Sequence, residues 1–139
     1  MVNVDITYKG KLRTEAKHEP SGHTILTDAP KDNQGEGAYF SPTDLIGTAL
    51  GACMLTLMGI VAQRDGFDLG GATAHVEKEM TASPPRRIAK ITVVITVPAS
   101  LTPEQQEKLK AAAMSCPVKK SLHPDVELPV QFNFAGVAV

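Results

Sequence analysis

Apolar residues recur at every second position at the start of the chain: Val2, Val4, Ile6 and Tyr8 alternate with polar neighbours until Gly10 interrupts them. A period of two marks a half-buried strand. A second extended stretch covers residues 12–17, Ser21-Gly22 marks a turn, and residues 23–27 form a third short strand. Residues 28–37, with Pro30 and Gly35, read as a flexible loop. The first group of elements is therefore a small antiparallel sheet.

The pattern then changes, because residues 45–62 carry no charge at all. A helix apolar on all sides is one covered on all sides. Its start is signalled by Ser41-Pro42-Thr43-Asp44, where Ser41 suits the N-cap, Pro42 the first helical position and Asp44 the return contact of a capping box. Its end is expected near Arg64, before Gly66. About 18 uncharged residues are enough for a membrane span. However, Gly47, Gly51, Gly59, Thr48 and Thr56 make the run less apolar than a typical span, and neither a Lys/Arg cluster nor an aromatic belt flanks it. The expectation is a core helix of a globular protein or of an intertwined dimer.

Further on, Ala72, Ala74 and Val76 alternate with Thr73, His75 and Glu77, Ser83-Pro84-Pro85-Arg86 breaks the chain, and residues 88–97 are rich in β-branched side chains. This is a second hairpin. Thr102-Pro103-Glu104-Gln105 repeats the order of cap, proline and capping-box partner, which predicts a helix over 103–114 with Leu109, Ala112 and Ala113 inward. Ser115-Cys116-Pro117 opens a short helix through Leu122. Val126, Leu128, Val130, Phe132 and Phe134 then alternate, so the chain closes with a strand. Hairpins, buried helix, hairpin, helices and strand in that order make an α+β fold, since helices and strands are not interleaved one for one. The 139 residues suffice for one domain, 1–139, with a sizeable core.

Composition narrows the chemistry. With 42% hydrophobic and 21% charged residues and a net charge of −1, the chain has no excess of Lys or Arg to hold a phosphate backbone or acidic lipid. Neither nucleic acid nor a membrane is expected as a partner. The first residues lack a basic segment followed by an apolar one, so a cytoplasmic, reducing location is expected. There, two cysteines serve redox or catalytic chemistry, or nothing. Cys53, at the centre of the uncharged run, is either inert core or a nucleophile kept from water, because only the thiolate reacts and burial opposes it. Cys116 stands at a helix start, where N–H groups favour an anion, and judged from the residues alone it is the better thiolate. His18, His23, His75 and His123 lie far apart, without the short spacing of a zinc motif, so no metal is expected. The chain has neither a phosphate-binding Gly-rich loop nor a Gly-x-Ser-x-Gly elbow.

The stretch Phe40-Ser41-Pro42-Thr43-Asp44-Leu45 leading into Ala49-Leu50-Gly51-Ala52-Cys53, with Ser115-Cys116-Pro117-Val118 later, resembles the OsmC/Ohr family. That family is named for osmotically inducible protein C and organic hydroperoxide resistance protein. The resemblance covers the whole order of elements. It implies an OsmC-like fold, with antiparallel sheets wrapped around a buried central helix in an intertwined homodimer, and two active sites at the subunit interface. It also implies a thiol-dependent peroxidase for organic hydroperoxides. Cys53 would attack the peroxide, Cys116 would resolve the sulfenic acid as a disulfide, and an external dithiol, of lipoyl type for instance, would reset the pair without any bound cofactor.

Family members add an arginine from the N-terminal region and an acid near the start of the central helix. Arg13 and Asp44 are the candidates here, but the acid of the organic-hydroperoxide branch directly follows the proline, where this chain has Thr43. A shift of one residue turns a side chain by about 100° on a helix. Asp44 therefore either orients Arg13 or only caps the helix. A cation would make a mid-helix Cys53 thiolate tolerable, since a positive charge within about 4–6 Å lowers a pKa by roughly 1–3 units. Tyr39, Phe40, Met54 and Met58 would form an apolar, substrate-binding approach suited to alkyl or lipid-like hydroperoxides. The competing function is a non-catalytic binding module, in which an apolar cavity holds a small hydrophobic ligand and the cysteines are structural.

Overall fold

The computed structural model describes residues 1–135. Its contacts divide the chain into two compact units, Met1–Ile46 and a second from Gly47 onward. In the first unit, β1 (Val4–Gly10), β2 (Arg13–His18) and β3 (Thr24–Asp28) form an antiparallel sheet in that order. The β1–β2 turn passes through Gly10, Lys11 and Leu12, all at positive φ, and it brings Gly10 opposite Arg13, the first residue of β2. Val4, Ile6, Tyr8, Ile25 and Leu26 are exposed. The buried residues of this unit are polar: Thr27, Asp28 and Ser41.

The segment after β3 differs from the flexible loop expected for residues 28–37. Ala29 N–H donates to the Leu12 carbonyl, Asn33 and Gly35 donate to Pro30, and Gly37 donates to Ala29, around a 3-10 turn at Lys31–Asn33. Gly35 lies so close to Ala29 that an added Cβ would come within 1.8 Å of its carbonyl oxygen. This wound segment leads to Tyr39 and then to Phe40, and the backbone of Phe40 bridges back to Thr27.

The long helix α1 (Pro42–Asp65) follows, with bounds close to those expected. Its N-terminus is the capping box read from the sequence: the Asp44 N–H donates to Ser41 Oγ (3.1 Å), and Asp44 Oδ2 accepts from the Ser41 N–H (2.9 Å). Among the described residues it is the one helix long and apolar enough to cross a membrane. In the second unit, Leu50, Met54, Met58 and Ala62 lie four apart on one of its faces, and all are buried.

The second sheet has the order β4 (Thr73–Met80), β5 (Ile88–Val97), β6 (Val130–Phe134). β4 and β5 are antiparallel, whereas β6 pairs parallel to β5. Ile91, Val93, Ile95 and Val97 alternate along β5 and are fully buried with the α1 face, Leu101, Leu109 and Ala113. Leu109 and Ala113 come from α2 (Pro103–Met114), whose capping box joins Thr102 and Gln105 as expected. Ala112, expected inward beside them, is not in this core. Gly51 lets α1 lie close to β4, since a Cβ there would come 2.9 Å from Val76. The last strand starts later than its alternation predicts. Pro129 has no N–H to give, and Val126 is held in a turn by the His123 carbonyl, so Glu127 meets β5 only through an isolated bridge to Lys90.

Candidate active site

Cys53 lies in α1 and Cys116 is the N-cap of the short α3 (Pro117–Ser121). Both thiols are free, and the structure brings them close enough for Cys53 to act on the Cys116 thiol although 63 residues separate them in sequence (116 − 53). Their environments differ. Cys116 is completely buried within the apolar core, while Cys53 is half-buried at its margin. The sequence places Cys53 in the driest run, so its partial exposure departs from that expectation.

Burial pushes the Cys116 thiol above its ordinary pKa, and the hydrogen bond and charge of Cys53 push it further. The backbone N–H groups of Lys119 and Val118 only partly oppose this, with Lys119 N 3.4 Å from the sulfur. The expectation from the residues alone, that a helix start makes Cys116 the better thiolate, is thereby corrected. A helix of five residues has too few aligned peptides to offset complete burial. Cys116 therefore keeps its proton at neutral pH.

In the first unit, Arg13 is embedded in a cluster of its own. Its Nη2 donates to Glu36 Oε2 (2.8 Å), its Nε lies 3.6 Å from Asp28 Oδ2, and its guanidinium carbon is 5.4 Å from the centre of the Tyr39 ring. Asp28, the register partner of Arg13, is fully buried. A hydrogen bond from the Ala38 N–H is the main cause holding its carboxyl below the ordinary range. Arg13 and the N–H groups of Ala29 and Glu36 act in the same direction, against the opposing effect of burial.

Neither Asp28 nor Glu36 was singled out from the sequence, because residues 28–37 read as a loop without structure. The signal available was the hairpin register, which sets residue 28 opposite residue 13. Asp44, by contrast, is found in the capping contacts described above. Tyr39 and Phe40 are exposed. Met54 and Met58 are not available to a substrate: both are completely buried against β5 residues, so their expected place in the approach to the site is corrected to core. A concavity of about 310 Å³ in the second unit is lined by Thr48, Gly51, Ala52, Leu55, Ala74 and Val76, and by neither sulfur. Among the described residues, no group of three or more His, Cys, Asp or Glu side chains is placed to hold a metal ion.

A family model described as OsmC-like protein matches residues 35–130, a stretch that holds both cysteines. The chain belongs to the OsmC-like protein family. Among solved structures, this OsmC-like chain is 45% identical to a protein of Psychrobacter arcticus with a proposed role in osmotic stress and detoxification responses. That match covers 95% of this chain and 96% of the other, with a TM-score of 0.89. It also shares its fold with an organic hydroperoxide resistance protein of Legionella pneumophila (15% identity, 96% of each chain, TM-score 0.75). A third similar fold is the organic hydroperoxide resistance protein of Bacillus subtilis (16% identity, 95% of this chain and 97% of that one, TM-score 0.68). No curated protein matches the chain. The α+β fold of two three-stranded sheets with helices is thus the one seen in OsmC and organic hydroperoxide resistance proteins.

Proposed function

We propose that this OsmC-like protein is a thiol-dependent peroxidase for organic hydroperoxides. The observation that carries the proposal is the contact between two free thiols of unequal burial, Cys53 and Cys116. Cys53, as thiolate, attacks the distal oxygen of ROOH. The O–O bond breaks, the alkoxide leaves and takes a proton as ROH, and Cys53 becomes a sulfenic acid. Cys116 then gives up its proton as its sulfur attacks that of Cys53, and the proton leaves with the sulfenic oxygen. An S–S bond forms, the sulfenic oxygen departs as water, and an external dithiol exchanges with the disulfide to restore both thiols. Arg13 is the proposed cation of the site, since a guanidinium stays charged and its planar fork can hold a peroxide oxygen.

The proposed assembly is a homodimer. The open apolar side chains of β1 and β3 supply a surface for a second copy, as unusually large apolar patches do. A reducing compartment, the cytoplasm, suits two thiols that must return to the free state. A ligand-binding module remains the second reading because of the concavity beside Gly51, but a ligand there would leave the paired sulfurs without a role.

The test is consumption of cumene hydroperoxide with dithiothreitol present. Cys53→Ser is expected to abolish it, and Cys116→Ser to allow one sulfenic acid per chain, detected by trapping with dimedone. Undiminished consumption by Cys53→Ser would overturn the assignment.

A further inference from the structure

Cys116 holds two positions at once. Its thiol lies beside Cys53 in the packed cluster of the second unit, and its sulfur caps α3 by accepting the Lys119 N–H at 3.4 Å. Pro117 has no N–H, so Val118 and Lys119 carry the first two of this helix, and both act on the one sulfur. A helix of five residues is too short to stay wound in water by itself. Its cap and the packing of Val118 and Leu122 against the core keep it formed. Because Cys116 is completely buried, water cannot replace the cap while α3 is in place.

We infer that the Cys53 and Cys116 pair is a redox switch for α3: joining the two sulfurs withdraws the cap and loosens residues 117–121, and reduction winds them again. The inference rests on the proposed partnership of the two thiols. A thiol sulfur is already a weak acceptor. Once bonded to Cys53 it is a poorer one and is drawn away from the helix start, which leaves two buried N–H groups that only an opening to water can satisfy. The redox state of a buried pair is thereby displayed at the surface, where Lys120 and Ser121 are exposed. The cap of α2 is formed by Thr102 and Gln105 without any sulfur, so the same oxidation leaves it unchanged.

The test is hydrogen exchange at single amides of the whole protein, followed by NMR before and after oxidation with diamide. Diamide takes up the two protons and two electrons of a thiol pair as it becomes a hydrazine, so the disulfide forms without any peroxidase activity. The Val118, Lys119 and Lys120 amides are expected to exchange about fivefold faster in the oxidised protein, the size of effect that loss of an N-cap produces. The Gln105 amide, held by Thr102 Oγ, should not change, and dithiothreitol should restore the slow exchange. Cys53→Ser and Cys116→Ser should both ignore diamide, the second because a serine hydroxyl keeps the cap and cannot form the bond. Unchanged exchange in α3 with the disulfide verified by mass spectrometry, no disulfide at all, or the same acceleration in Cys53→Ser would each overturn the switch. Cumene hydroperoxide in place of diamide separates the two proposals. If diamide loosens α3 and the hydroperoxide forms no disulfide, the peroxidase assignment alone is lost. If the hydroperoxide forms the disulfide and α3 stays protected, the switch alone is lost.

Discussion

The two three-stranded sheets differ in what covers them. β5 hides Ile91, Val93, Ile95 and Val97 completely, whereas Val4, Ile6 and Tyr8 of β1 and Ile25 and Leu26 of β3 stay open in a single chain. β1 and β5 both carry apolar residues at every second position. The alternation says that a strand has an apolar face and leaves open what meets that face. The second sheet meets its own helices, whereas the apolar side chains of the first stay exposed in a single chain.

The widest gap is expected between substitutions on the two sheets. Ile95→Ala should cost about 2–5 kcal/mol in urea unfolding, the range for a large side chain lost from a packed core. Ile6→Lys should shift the midpoint of a dilute sample by no more than about 0.5 kcal/mol. It should nonetheless move the sedimentation profile from dimer towards monomer if a second copy covers β1. Equal costs at both positions would erase the contrast, and an unchanged association state would remove β1 from the interface.

A smaller effect is expected at the two capping boxes, one in each unit. Ser41→Ala and Thr102→Ala should each cost about 1 kcal/mol, since each deletes a side-chain acceptor for a backbone N–H at a helix start. A loss confined to Thr102→Ala would mean that the start of α1 is secured by something other than its cap.

The smallest effect concerns acid. The Asp28 carboxyl titrates below its ordinary value of 3.8 in the folded chain. Its stabilising contribution is thus complete above that value and is lost as pH falls through the lower, folded one. Amide exchange at Ala38 and Ala29, measured at matched intrinsic rates, should speed up in the first unit below pH 3.8. No acid sensitivity there would argue that Asp28 is not what closes the segment.

The helix starts were legible because Ser41 with Asp44, and Thr102 with Gln105, satisfy their own backbone groups within a few residues. The strands of the first hairpins were legible for the same reason of locality. The start of β6 was not, because alternation from Val126 ignores the missing N–H of Pro129. The cluster around Arg13 was hidden because its acids lie 15 and 23 positions away and come together only through sheet register and a wound segment. The meeting of Cys53 with Cys116 was implied by family resemblance and not by spacing. The opposite burial of the two sulfurs could not be read at all, since Cys116 is covered by residues from α1, β5 and α2 together.

The parallel pairing of β6 with β5 has a consequence for how the two sulfurs first meet. Parallel neighbours cannot be joined by a hairpin, so the chain must travel back along the sheet, and α2, Cys116 and α3 make up that return leg. A polypeptide leaving the ribosome presents Cys53 well before the return leg exists and before its final strand is moored. Because the same return leg carries Cys116, the proposed partnership of the two sulfurs is coupled to the crossover that docks the last strand.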